Sequence, residues 1–156
     1  MWADRKDTTR GKKVKGRKRH VLVDVLGFIL ALSITPASVQ DRDGAVSVLR
    51  EAHREYSTLQ HIWVDGAYRG DVIDAVRDET GFEIEVVKRN DEQRGFVLLK
   101  RRWIVERTNS WFGKFRILSK EYERTVESSR ADVLLAMTML MARRLTTPPE
   151  ARKERR

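Results

Sequence analysis

Cysteine is absent from the 156 residues, so the chain forms no disulfide, and any metal ion must be held by oxygen or imidazole ligands. Long apolar runs are absent as well. The most apolar stretch, residues 133–142, is too short to span a bilayer, and the N-terminus lacks the apolar core of a signal peptide. These absences predict a cytoplasmic, nucleoid-associated protein with no membrane partner, and the length predicts one globular domain.

Positive charge, in contrast, is abundant, with a formal net charge of +9. The first 20 residues hold nine Lys or Arg and two Asp, a local net charge of +7. Such a run attracts polyanions, and nucleic acid is the commonest partner, although a solvated charged tail is the alternative. We therefore predict contacts with the DNA backbone. The residues expected to make them in this segment are Lys12, Lys13, Lys15, Arg17, Lys18 and Arg19.

Apolar periodicity divides the chain into a flexible basic segment (1–19), a folded core (20–145) and a disordered tail (146–156). The core is predicted to begin with a β-hairpin over residues 20–33. A helix capped by Asp41 and Asp43 follows, then two strands that alternate with a helix. The last elements are a long helix over residues 96–124, in which Gly113 is a candidate break, and a buried helix over residues 131–145. The order β-β-α-β-α-β-α-α predicts a mixed α/β domain.

Asp65 ends the predicted strand that begins at His61 and is followed by Gly66. Binding sites in open α/β sheets are built at the carboxyl ends of strands, so Asp65 is a candidate metal ligand. The alternative is that Asp65 only caps a turn, because Asp-Gly is a common turn sequence.

Glu106 lies in the predicted long helix, where Arg102 and Asn109 fall on the same face. A carboxylate beside basic and amide groups is suited to hold a cation next to phosphates. An ordinary ion pair between Glu106 and Arg102 is the alternative. Two carboxylates on separate elements of a basic domain suggest metal-assisted phosphoryl transfer on DNA, but their spacing does not show that they converge.

Five sequence blocks resemble the transposases of bacterial insertion sequences in the grouping numbered four and five. They are GKKVKGRKRH (11–20), VDVLG (23–27), VQDRDGA (39–45), IWVDGAYRG (62–70) and RRWIVERT (101–108). The blocks occur in family order. That order makes the resemblance specific, whereas each block alone is a weak signal.

The resemblance implies a ribonuclease-H-like fold and a metal-binding triad of acids, of the type known as DDE. It assigns the second acid to Asp65 and the third to Glu106, with Arg102 ahead of it. Asn109 is a further supporting candidate because it shares the helix face of Glu106. It implies a pair of Mg²⁺ or Mn²⁺ ions and a reaction that nicks element ends and joins them to target DNA. Further DNA contacts are expected from Arg101, Arg107 and Lys114, and a second copy or an intact transposase is the expected protein partner.

The chain departs from the family pattern at several positions. Leu99 and Gly113 stand where the family has Tyr and Lys, and Lys114 is one residue late. No match is found for the opening strand that carries the first acid. Asp24 is the nearest substitute, ahead of Asp4 and Asp7. We therefore expect a truncated core without its first strand, which binds DNA but does not cleave it alone. The alternatives are a catalytically dead DNA-binding remnant and a nuclease completed by another acid.

Overall fold

The computed structural model describes residues 7–8, 15–66, 68, 70–87 and 102–147 of the chain. Its elements are β1 (Asp7–Thr8), β2 (Lys15–Val23), β3 (Ile29–Pro36), α1 (Asp41–Glu55), β4 (His61–Asp65), α2 (Asp71–Thr80), β5 (Glu83–Val87), α3 (Arg102–Phe112), a 3-10 turn (Arg116–Leu118) and α4 (Val126–Thr146). This order confirms the predicted mixed α/β class. None of the helices in these ranges is long and apolar enough to cross a membrane.

The strands form two separate sheets. An antiparallel sheet has the order β1-β2-β3, and a parallel sheet pairs β4 with β5. The predicted hairpin is present, but it begins earlier than expected, because residues 15–19 form the first half of β2. The prediction that these basic residues belong to a flexible segment was therefore wrong. The basic composition of these residues indicated a solvated segment. In the fold, however, the side chains of Arg17 and Arg19 bind protein groups and do not remain in solvent.

The turn between β2 and β3 is held by Asp24, whose Oδ1 accepts hydrogen bonds from the backbone N–H groups of Leu26 and Phe28, each at 2.8 Å. Gly27 follows with a φ of +86°, a left-handed conformation that favours glycine. A Cβ at Gly27 would lie 2.8 Å from the Thr108 hydroxyl oxygen, so α3 packs directly on this turn.

The predicted first helix is confirmed as α1, and its apolar face is buried through Ala45, Val48, Leu49 and Ala52. Its capping differs from the prediction. Gln40 is the N-cap and its side chain makes no capping hydrogen bond, while Asp41 and Asp43 lie in the first turn. There they still favour the helix, because negative charge at an N-terminus interacts well with the helix dipole.

Two main apolar clusters lie on either side of the strands. One joins β3 to the C-terminal helices through Leu32, Ile34, Phe112, Leu118, Val133, Ala136 and Met137. The other joins α1 and α2 to the parallel strands through Ala45, Leu49, Ile62, Ile73, Val76, Phe82 and Ile84. Full burial of one such large side chain contributes about 1.5–3 kcal/mol. The two clusters together fix which side of each strand faces which helix.

The predicted long helix is shorter than expected, because α3 ends at Phe112 and the chain then passes Gly113 into a 3-10 turn. Residues 96–101 lie outside the described ranges. The last helix also differs from the prediction. Only one side of α4 is buried, and Leu135 and Leu145 are 61% and 86% exposed. The predicted disordered tail falls almost wholly beyond residue 147, outside the described ranges.

Candidate active site

One cavity of about 340 Å³ brings together the two acids that the sequence singled out. Asp65 from the end of β4 and Glu106 from α3 both line it, and Asn109 lies beside Glu106. The other walls come from β2, α1 and the last residue of β5. Both acids therefore border the same cavity, which their spacing in the sequence could not show.

Asp65 reaches this cavity from the end of β4, whose residues 62–64 line it as well. Ile62 and Val64 pack into the cluster with α1 and α2, so Asp65 belongs to the opposite face of the strand. Asp65 pairs in register with Val87 at the carboxyl end of the parallel sheet. The turn after it is closed by its backbone carbonyl, which accepts a hydrogen bond from Tyr68 N at 3.1 Å. A turn of this kind does not require a carboxylate at position 65.

The orientation of Glu106 and Asn109 follows from the packing of the opposite face of α3 against the core. Thr108 is fully buried, and its hydroxyl oxygen lies 2.7 Å from the carbonyl oxygen of Gly27 and 3.1 Å from that of Ile104. Because Ile104 and Thr108 are buried against the core, Glu106 and Asn109 are left exposed on the other side. The helix therefore presents a carboxylate and an amide one turn apart.

Two residues that the sequence analysis gave no chemistry also line the cavity. Burial, followed by the negative charges of Asp41 and Asp65, raises the pKa of Tyr68 to about 12, so its hydroxyl is protonated at neutral pH and can donate a hydrogen bond. Burial lowers the pKa of His20, whose Nε2 lies 2.9 Å from the Thr35 hydroxyl. Tyr68 is part of the block IWVDGAYRG (62–70), but its place in the cavity wall follows only from the packing of the fold.

The donors in the cavity suit a hard cation. Carboxylate and amide oxygens, available from Asp65, Glu106 and Asn109, are the ligands that Mg²⁺ and Mn²⁺ prefer. No cluster of three or more His, Asp or Glu residues with metal-ligand geometry occurs in the part of the chain that the structure describes. The described walls thus supply two acids, which is fewer than a tightly held metal pair needs.

Arg17, one of the predicted DNA contacts, is a structural residue in this fold. Its side chain has no solvent exposure. The guanidinium forms an ion pair with Glu121 at 3.2 Å and donates hydrogen bonds to the carbonyl oxygens of Glu123, Arg124 and Thr125. It therefore ties β2 to the loop before α4 and has no surface to offer to a phosphate.

Three further predicted contacts are also engaged with the protein. Lys18 binds Asp41 at 3.0 Å and the carbonyl oxygen of Val39 at 2.7 Å. Arg19 donates to the carbonyl oxygen of Leu118 at 3.1 Å and lines the cavity. The third is Arg107, which sits over the rings of Trp103 and Trp111. Among the predicted contacts whose side chains the structure describes, only Lys114 is in the exposed class.

The remaining predicted site residues are not covered by the structure. Lys12, Lys13 and Arg101 lie outside the described ranges, as do the side chains of Lys15 and Arg102. The predicted support of Glu106 by Arg102 therefore stays a prediction. Asp24, the proposed substitute for the first acid, holds the β2–β3 turn and does not line the cavity.

Comparison with known proteins identifies the family. The sequence model described as the transposase DDE domain matches residues 2–141, which is most of the chain. The chain belongs to the DDE transposase family. The chain is also 30% identical over 125 residues to a protein of Burkholderia cepacia assigned as the transposase for insertion sequence element IS402.

The alignment with the IS402 protein includes 76% of this chain and 56% of that protein. The chain thus spans little more than half the length of the curated relative it matches. No solved structure matches the chain. The family is therefore established from sequence, and the roles of individual residues depend on the geometry of the cavity.

Proposed function

We propose that this chain carries two acids of the metal-dependent catalytic centre of an insertion-sequence transposase, built on a ribonuclease-H-like core, and that the cavity between β2, β4 and α3 is where that centre cuts and joins DNA strands. The observation that supports this most is the meeting of Asp65 and Glu106 in one cavity of a DDE-family chain. Both acids come from family blocks, yet they lie on different elements that only folding brings together.

In this proposal Asp65 and Glu106 hold divalent cations through their carboxylate oxygens. Mg²⁺ or Mn²⁺, when bound, would supply Lewis acidity at the scissile phosphate and lower the pKa of the attacking water or 3′-hydroxyl. Asn109, one turn from Glu106, would hold the carboxylate or a phosphate oxygen by a hydrogen bond from its amide. The Tyr68 hydroxyl, which is protonated at neutral pH, would donate a hydrogen bond to a group bound in the same cavity.

DNA would approach the exposed segment that follows α3. Four cationic side chains are exposed there: Lys114, Arg116, Lys120 and Arg124. Together with the N-terminal lysines they provide enough positive charge to neutralise several phosphates. If about six phosphates are neutralised, log affinity should fall against log salt with a slope near −5. The expected DNA partners are element ends and target DNA, and a further copy of the chain or an intact transposase would complete the assembly.

The metal site is tested by titrating the chain with Mn²⁺. Calorimetry and the electron paramagnetic resonance signal of free Mn²⁺ both measure the binding affinity. Asp65→Asn and Glu106→Gln should each weaken Mn²⁺ binding about tenfold or more, because each removes an anionic ligand. Asp78→Asn is the matched control, since it removes one exposed carboxylate from α2 outside the cavity. Equal affinity in all three variants would refute the metal site.

The test of the reaction is a nicking and strand-transfer assay in Mg²⁺ and in Mn²⁺ on DNA that carries the element ends. DNA binding without cleavage by this chain alone is the expected result, because the described part of the cavity offers two acids. Cleavage that disappears in Asp65→Asn, with DNA binding retained, would show that another acid completes the site. DNA binding with neither cleavage nor Mn²⁺ binding would favour the catalytically dead remnant. Cleavage without strand transfer would favour a nuclease.

A further inference from the structure

Helix α4 carries an apolar stripe on the side that faces solvent. Its opposite side packs on the core through Val133, Ala136 and Met137, which are all buried. On the solvent side, exposed residues follow one another in alternating steps of four and three and form what we call the α4 stripe: Ala131, Leu135, Thr138, Ala142 and Leu145. An average spacing of about 3.5 residues is the spacing at which two α-helices pack along each other.

The α4 stripe has large apolar side chains that the rest of the described fold does not cover. Leu135 and Leu145 are mostly exposed, and Met139 and Met141 beside them are 50% and 42% exposed. The described elements that pack on α4, chiefly β3 and the 3-10 turn, lie on its buried side. Contiguous exposed apolar surface is typical of a site that binds another protein.

The order of side-chain sizes along the α4 stripe fits an antiparallel copy of itself. If Thr138 lies on a two-fold axis, Ala131 of one copy is level with Leu145 of the other, because each is seven residues from Thr138. Leu135 is then level with Ala142 of the other copy to within one residue's rise, about 1.5 Å. Each leucine thus faces an alanine, and large side chains opposite small ones let two helices pack closely. A parallel pair in register would instead put alanine opposite alanine and leave gaps.

The charges beside the α4 stripe favour the same orientation. Asp132 and Arg143 lie on one flank, at about 120° and about 140° round the helix from Thr138 in the same direction. Neither forms an ion pair with another residue that the structure describes.

In an antiparallel pair the same flank of both helices meets, and Asp132 of one copy lies within about 1.5 Å of the level of Arg143 of the other. The two-fold axis repeats this opposite-charge pair. In a parallel pair in register, Asp132 would be level with Asp132 and Arg143 with Arg143, so like charges would meet at both levels.

We propose that the α4 stripe binds the α4 stripe of a second copy of the chain, with the two helices antiparallel and Thr138 at the two-fold axis. Such an interface closes on itself, because each copy uses the same surface to bind the other. No residue of α4 lines the active-site cavity, so the interface uses none of the residues of the proposed metal site. The inference therefore does not depend on the proposed function.

Sedimentation velocity over a dilution series of the full chain tests the pairing. The unmodified chain should be a dimer that dissociates on dilution. Leu135→Glu should raise the Kd at least about tenfold, because every dimer contains this substitution twice at the centre of the interface. Val72→Glu is the matched control, since it places the same charge at another partly exposed apolar position, on α2, and should leave the Kd unchanged.

An unmodified chain that stays monomeric at every concentration would overturn the proposal and would reserve the α4 stripe for a different protein. A dimer that Leu135→Glu does not weaken would overturn it as well, because the two copies would then meet elsewhere. Circular dichroism of each variant shows that it is folded, as expected for substitutions of exposed side chains.

Charge reversal tests the orientation without removal of apolar surface. Asp132→Arg should weaken the dimer, because a like charge would then face Arg143 of the other copy. Asp132→Arg combined with Arg143→Asp should restore most of the affinity, since the opposite-charge pair is formed again with its signs exchanged. A combined variant that binds no more tightly than Asp132→Arg alone would contradict the antiparallel register.

Disulfide trapping separates the antiparallel pair from a parallel one, and the absence of native cysteine leaves a single possible bond in each product. Ala131→Cys and Leu145→Cys chains, mixed in equal amounts and mildly oxidised, should form the mixed dimer, because these positions are level across the interface. Each variant alone should stay reduced, since the two copies of residue 131 would be about 21 Å apart along the axis, beyond the reach of a disulfide. Disulfide-linked dimers of Ala131→Cys alone would overturn the antiparallel arrangement.

Discussion

Arg17 allows a direct test between two roles: the DNA contact that its charge indicates and the structural role that its burial indicates. Its guanidinium is completely buried, pairs with Glu121, and donates to three consecutive backbone carbonyls in the loop before α4. Arg17→Ala would remove the cationic partner of the nearly buried Glu121 carboxylate, which also accepts from the Ser129 hydroxyl, and the donor to those carbonyl groups. Removal of one partner of a buried ion pair costs about 3–5 kcal/mol. That loss is a large fraction of the roughly 5–15 kcal/mol that stabilises an ordinary domain.

The assay is urea unfolding followed by circular dichroism, together with thermal unfolding. At about 2–4 °C per kcal/mol for a chain of this size, Arg17→Ala should lower Tm by roughly 6–20 °C. Arg17→Lys keeps the charge but loses the planar arrangement of five N–H donors. Its Tm should therefore lie between that of the unmodified chain and that of Arg17→Ala. Lys114→Ala is the control, because an exposed substitution should change stability by no more than about 0.5 kcal/mol.

DNA binding by the same variants should show the opposite pattern, with an effect at Lys114 and not at Arg17. Measured where all of them are folded, Lys114→Ala should weaken DNA binding and reduce the salt slope by about 1, as loss of one phosphate contact does. Arg17→Lys should leave the slope unchanged. An Arg17→Ala chain with normal Tm but weakened, less salt-dependent DNA binding would refute the structural role of this arginine.

Three smaller perturbations test the packing around the cavity. Gly44→Ala would put a Cβ 2.2 Å from Nε2 of His20, so urea unfolding should show a loss of about 1–3 kcal/mol, whereas Gly66→Ala meets no atom within 4 Å and should be near neutral. Thr108→Val removes the buried hydroxyl that binds the β2–β3 turn and should cost about 1–3 kcal/mol, while the exposed Thr138→Val should cost far less. Burial lowers the pKa of His20 below 6.5, so the unfolded chain binds the proton first and stability should fall as pH drops below about 6.5. His20→Gln should flatten that part of the pH profile, and an unchanged slope would contradict the burial of this imidazole.

Much of the architecture could be predicted from local patterns. The alternation over residues 20–33 and the three-and-four spacing in α1 indicated the correct elements, because each depends on neighbours in sequence. The strand end at Asp65 was placed correctly for the same reason. The boundaries failed where long-range contacts override composition. Residues 15–19 look like a solvated tail, yet they form a strand because Arg17 and Arg19 find carbonyl partners about one hundred residues away.

The sequence by itself determined the family, the basic surface and the two acids of the candidate site, since motif identity and net charge do not depend on how the chain is folded. Only the tertiary structure decided that Asp65 and Glu106 face one cavity, because that requires the packing of α3 on the β2–β3 turn through Thr108. It also decided which arginines are structural.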